Sequence, residues 1–134
     1  MYKVQRKQTV VEELQIEDSR GELALSIPVK IRVDDVIGEY NRLRRLLGET
    51  QAELTKDPKS EKAMESYGFV VIAFFKLIFG EEGAESLLEF YENRYSEMLS
   101  DIAPFIIDRI NPAMNAAMQE RADKMRALTK KAGK

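Results

Sequence analysis

The sequence predicts an α+β fold that is mainly helical, with an N-terminal β-hairpin followed by a bundle of about four helices. Three observations carry this. Apolar residues alternate with period two up to Val33, the spacing of half-buried strands. Beyond Val33 they recur at helical spacing, punctuated by Pro58, Gly80, Pro104 and Pro112. No linker, internal repeat or low-complexity tract divides the 134 residues, so they read as a single domain.

The hairpin is assigned to residues 8–33. Val10, Leu14 and Ile16 sit at even spacing in the first strand, and Leu23, Leu25, Ile27, Val29, Ile31 and Val33 alternate without a gap in the second. Between them Glu17-Asp18-Ser19-Arg20-Gly21 is a polar loop ending in the residue that most easily takes a positive φ. Pro28 donates no hydrogen bond, so it faces an unpaired edge or marks a bulge. A two-stranded hairpin is marginal alone, and its apolar row needs a helix or another subunit against it. Leu23, Leu25, Ile27 and Val29 are therefore candidates for self-association into a homo-oligomer, with packing on the chain's own helices as the alternative.

The bundle is assigned to residues 34–128. Asp34 reads as the cap of a first helix whose face is Ile37, Tyr40, Leu43, Leu47 and Leu54, and Asp57-Pro58 as the cap and first position of the next. The second helix becomes uniformly apolar from Phe69 to Phe79, broken only by Lys76. That run is shorter than the roughly 20 residues of a membrane span, so it is the expected central core helix, with Gly80 as its stop. Acids at Glu81 and Glu82 open a third helix carrying Leu87, Leu88, Tyr91, Tyr95, Met98 and Leu99, which breaks at Asn93 or Ser96. The last helical pattern runs from Ile102 to Leu128, with Pro104 and Pro112 as starts or kinks, and residues 129–134 form a basic tail expected to fray.

Composition removes several chemistries. With no His and no Cys, the commonest general base, the commonest zinc ligands, the thiolate nucleophile and disulfides are all missing. The acidic pairs Glu12-Glu13, Asp34-Asp35 and Glu81-Glu82 lack the spacing of a calcium loop, and Gly80 with Gly83 has no Lys-Ser/Thr follow-on of a phosphate loop. We therefore expect no enzyme, no catalytic residue, no metal and no cofactor. The N-terminus carries no apolar signal run, which points to the cytoplasm and away from a membrane. A net charge of −2 gives no overall attraction to nucleic acid. The charge is uneven, however: residues 81–101 hold seven acids and one base, and residues 121–134 six bases and one acid. Opposite ends can attract, within a chain or between chains.

Met114, Met118 and Met125 share a face of the last helix with Arg121, and flexible thioethers among small residues suit either an irregular core or an adaptable binding surface. These four are the candidate partner-binding residues. Core packing is the stronger reading for Met114 and Met118, and Met125, beside the basic tail, is the stronger partner contact.

Three stretches together resemble a known family. They are the hairpin-to-helix passage from Gly21 to Tyr40, the stretch Leu77-Ile78-Phe79-Gly80-Glu81-Glu82-Gly83-Ala84-Glu85 continuing to Glu92, and Tyr95-Ser96-Glu97-Met98-Leu99 running into Pro104-Phe105-Ile106 and Ile110-Asn111-Pro112. In this order, over residues 10–120, they resemble the tail assembly chaperones of long-tailed phages and prophages of Gram-positive bacteria. The resemblance implies a non-enzymatic helical protein of the host cytoplasm. It implies that the chain coats the tape measure protein, keeps it soluble and recruits tail-tube subunits. It transfers no functional residue, because its motifs are packing and turn patterns. Members often have a second, frameshifted product, with which Lys130-Lys131 is compatible. The alternative is a small prophage regulator that places its basic C-terminal helix on nucleic acid, and no helix-turn-helix spacing supports it.

Overall fold

The computed structural model describes residues 1–3 and 9–132. Strands β1 (Thr9–Glu17) and β2 (Leu23–Arg32) form an antiparallel hairpin. Gln8, where the hairpin was expected to begin, lies outside the described residues. Asp18 builds the turn by accepting the backbone N–H groups of Arg20 and Glu22 on one carboxylate oxygen, while Gly21 takes φ 79°. Register pairs Val10 with Ile31, Glu12 with Val29, Leu14 with Ile27 and Ile16 with Leu25 on one face. Pro28 pairs with Glu13 without a register shift, which rules out a bulge there and turns its missing donor to the open edge of β2.

Helix α1 (Val33–Lys56) follows β2 directly. It starts one residue before the expected cap, so Asp34 and Asp35 lie in its first turn at the positive end of the dipole. The next helix starts three residues later than Pro58 suggested. Asp57 instead closes a turn by accepting from the Lys59 N–H, and Ser60 is the cap, its hydroxyl accepting from the Ala63 N–H at 3.1 Å.

Helix α2 (Glu61–Phe90) is the centre of the molecule and packs on α1, β2 and the helix that follows. Val71, Phe74, Phe75 and Ile78 are buried along it, and Ala84 and Leu87 continue the core beyond Gly80. The expected stop at Gly80 is a bend: φ 77° and ψ 170° deflect the chain for one residue, and helical hydrogen bonding resumes. Because the helix passes through this bend it is long and apolar enough to cross a membrane by length and composition, but half of its most apolar window is buried inside the chain itself. It ends where Glu92 and Asn93 adopt positive φ and the Asn93 N–H returns to the Leu88 carbonyl, the reversed closure typical of helix C-termini.

Helix α3 (Tyr95–Phe105), a π-helical turn (Ile106–Ile110) and α4 (Asn111–Ala132) then run without interruption. The bundle therefore has three helical rods where four were expected. Pro104 and Pro112 bracket the π turn, where their missing N–H groups already interrupt the regular ladder, and neither breaks the rod. The buried residues Met98, Ile102, Ile106, Ile110 and Met114 recur every fourth position. In a regular α-helix that spacing drifts about 40° per step, and the wider π turn takes part of the drift back. The rod continues through Ala132, beyond the Leu128 at which the bundle was expected to end, and residues 133–134 lie outside the described residues.

Candidate functional site

Helices α1 and α3 both pack on α2, and between them they leave an open groove of about 450 Å³. Its floor is Tyr67 and Phe74 of α2. One wall is Arg44, Leu47, Gly48 and Gln51 of α1, and the other is Ser96, Leu99, Ser100 and Ala103 of α3 with Ile106 and Ile107 of the π turn. Asn111 closes one end.

Local sequence explains why the groove stays empty of the chain's own atoms. Ser96, Ser100 and Ala103 are small and follow helical spacing, so α3 offers little bulk toward α1. Across from them Gly48 has no side chain, and a Cβ built there would meet nothing within 4 Å. Ile107 is 59% exposed on the rim, a large apolar side chain with no cover on its outer side.

The closed end is rigid. The Tyr40 hydroxyl donates to the Asn111 side-chain carbonyl, tying α1 to the first residue of α4. The Tyr40 ring packs on Phe74 at 5.4 Å, and the Arg44 guanidinium lies 5.8 Å above it. Burial pushes the Tyr40 hydroxyl up to about 12, with Arg44 opposing the shift. The groove thus combines an apolar floor with one cation, two hydroxyls and two carboxamides on its walls.

The acidic pairs do not assemble. Glu12 and Glu13 point to opposite faces of the hairpin, and Glu13 accepts from the Ser26 hydroxyl. Asp34 pairs with Arg121 at 3.3 Å and Asp35 with Arg32 at 3.7 Å. Among the described residues no group of three or more acidic side chains is placed to hold a metal ion.

The expected partner face of the last helix is divided by the structure. Met114 is fully buried and belongs to the core. Met118 is half-buried, its sulfur 3.7 Å from the Asn41 side-chain nitrogen, and Arg121 is turned to Asp34. Met125 is 57% exposed, and with Leu128 it gives the outer part of α4 an apolar stripe. The hairpin row is also divided. Ile27 and Val29 are buried against α2, Leu25 is half-buried, and of the four candidate residues only Leu23 is exposed. The row therefore finds its cover within the chain, which is the alternative to self-association.

Sequence reading missed the groove because apolar periodicity marks what is buried, and a groove is made by what is small. The usable signal was the pairing of Gly48 in one helix with Ser96, Ser100 and Ala103 in another. Comparison of the chain with protein-family models, with curated proteins and with solved structures gave no match.

Proposed function

We propose that the chain is a non-enzymatic tail assembly chaperone that binds the tape measure protein, keeps it soluble and recruits tail-tube subunits in the host cytoplasm. The observation that carries this reading is the groove between α1 and α3. An apolar floor, Tyr67 and Phe74, lies between two helical walls, and the exposed Ile107 stands on the rim. A long tape measure chain exposes apolar helical stripes that need transient cover, and one such stripe is the natural occupant. The sequence resemblance across residues 10–120 supplies the identity of the client. Weak contacts repeated along a long client sum to strong retention, so no single groove needs high affinity.

The test is co-expression with the tape measure protein of the same phage. With the wild-type chain the client is recovered soluble and co-purifies. Gly48→Gln places a helix-compatible side chain in the open groove, and the client should then precipitate while the chaperone itself stays folded. A client that is soluble without the chain, or equally soluble with Gly48→Gln, contradicts the proposal.

A further inference from the structure

The groove between α1 and α3 is lined by a single charged side chain, Arg44, and by no acid. Two other arginines stand close to it in α1, and both are engaged: Arg42 pairs with Glu39, and Arg45 lies 3.9 Å from Glu49. Arg44 differs from both. Its guanidinium rests on the Tyr40 ring, 5.8 Å from the centroid, and its N–H donors find no acceptor among the described residues.

The ring beneath it is fixed. Tyr40 is buried, packs on Phe74 and donates to Asn111. The guanidinium therefore has a rigid aromatic seat on one face, while the residue as a whole is exposed. A planar cation held in this way loses less freedom on meeting an acid than one that swings in solvent.

Its place along the groove is also defined. Arg44 lies one turn from Tyr40, and Tyr40 bonds Asn111, so the cation stands toward the end that Asn111 closes. Ile107, four residues before Asn111, brings its exposed apolar side chain to the same end. From Arg44 the α1 wall runs on through Leu47, Gly48 and Gln51, roughly 10 Å of helix without a charge. An occupant thus meets a cation beside apolar carbon at one end and uncharged surface along the rest.

We propose that Arg44 is the specificity-determining residue of the groove, selecting client helices that carry a carboxylate at the end of the apolar stripe lying beside Ile107. This rests on the groove being the client site and adds the chemistry of the segment it takes. The bound client shields Arg44 from water, and the guanidinium receives the carboxylate in a bidentate pair. A neutral residue at that place leaves the shielded cation without a partner, and a lysine there is repelled. With its one charge at one end, the groove also sets the direction in which the client helix lies.

The experiment measures binding of overlapping peptides covering the tape measure protein of the same phage to the wild-type chain, Gly48→Gln, Arg44→Gln and Arg44→Glu, by fluorescence anisotropy. Peptides that bind the wild type and are lost with Gly48→Gln are groove ligands. Each should carry Asp or Glu at one end of its apolar stripe. Arg44→Gln should weaken them roughly threefold to tenfold, and Arg44→Glu by more than about tenfold. Replacing the peptide's acid with Lys should remove binding to the wild type and restore it to Arg44→Glu. Circular dichroism reports whether each variant keeps its helices, and if Arg44→Glu loses them, the acid-to-Lys peptide against the wild type decides. Groove ligands that bind Arg44→Gln as well as wild type, or that tolerate Lys in place of the acid, overturn the role of Arg44 and leave the groove reading standing. If no peptide depends on Gly48, the groove reading fails and the role of Arg44 fails with it.

Discussion

Replacing Gly80 with Ala tests whether the bend in α2 is built by backbone conformation. In an ordinary helical position Ala is favoured over Gly by about 1 kcal/mol. Gly80 is not in such a position: φ 77° and ψ 170° place it in a region that only glycine enters freely, although a Cβ there would meet no neighbour within 4 Å. An L-residue forced to stay costs about 1–3 kcal/mol. Straightening the helix to avoid that cost would pull Ala84 and Leu87, both fully buried, away from the core. Gly48 is the internal control, because it is helical and equally free of contacts. Gly80→Ala should therefore destabilise by about 1–3 kcal/mol and Gly48→Ala should stabilise by about 1 kcal/mol. Urea unfolding followed by circular dichroism measures both. A Gly80→Ala protein as stable as wild type would show that α2 runs straight and that the bend is not a determinant of the fold.

Phe75 is fully buried in α2, so Phe75→Ala should cost about 3–5 kcal/mol in the same unfolding assay. Gly83→Ala should cost about 1–3 kcal/mol, because its Cβ would sit 3.0 Å from both Ile27 and Phe79, where β2 meets α2. Leu25→Lys should lower the unfolding midpoint without changing sedimentation of the folded fraction, because Leu25 packs against the chain's own core. Tyr40 and Tyr91 are both pushed up to about 12, chiefly by burial, and Tyr91 also donates to Asp101. Their folded values lie above the unfolded value of about 10, so the unfolded chain loses these protons first and stability falls as pH rises from 10 toward 12. Absorbance titration of the wild type against Tyr40→Phe and Tyr91→Phe should show each substitution removing a late-ionising group, and a variant that leaves the late part of the titration unchanged would refute the assignment.

Much of the fold was legible in the sequence. Alternation from Val10 to Val33 specified the hairpin and its inner face, and the run from Phe69 to Phe79 marked the central helix. Within that run Phe69 is nevertheless 76% exposed, because a uniformly apolar stretch carries no period to say which side faces out. Ser60 outcompeted Asp57 as a cap because its hydroxyl lies within reach of the Ala63 N–H, a choice that residue preference alone leaves open. The two late prolines suggested helix starts or kinks, but a π turn between them let the rod continue. At the site, the sequence set Met114 and Met118 toward the core and Met125 toward a partner; packing buries Met114, half-buries Met118 and leaves Met125 57% exposed. The groove depended on two helices far apart in sequence, each contributing small residues whose meaning appears only when they face one another.

Amide hydrogen exchange of the chain with and without its tape measure protein tests the central claim most directly. Client binding should slow exchange along α1 around Leu47 to Gln51 and along α3 and the π turn from Ser96 to Ile107, and Gly48→Gln should abolish that protection. Protection confined to the hairpin or to the outer end of α4, with the groove segments unchanged, would contradict the account.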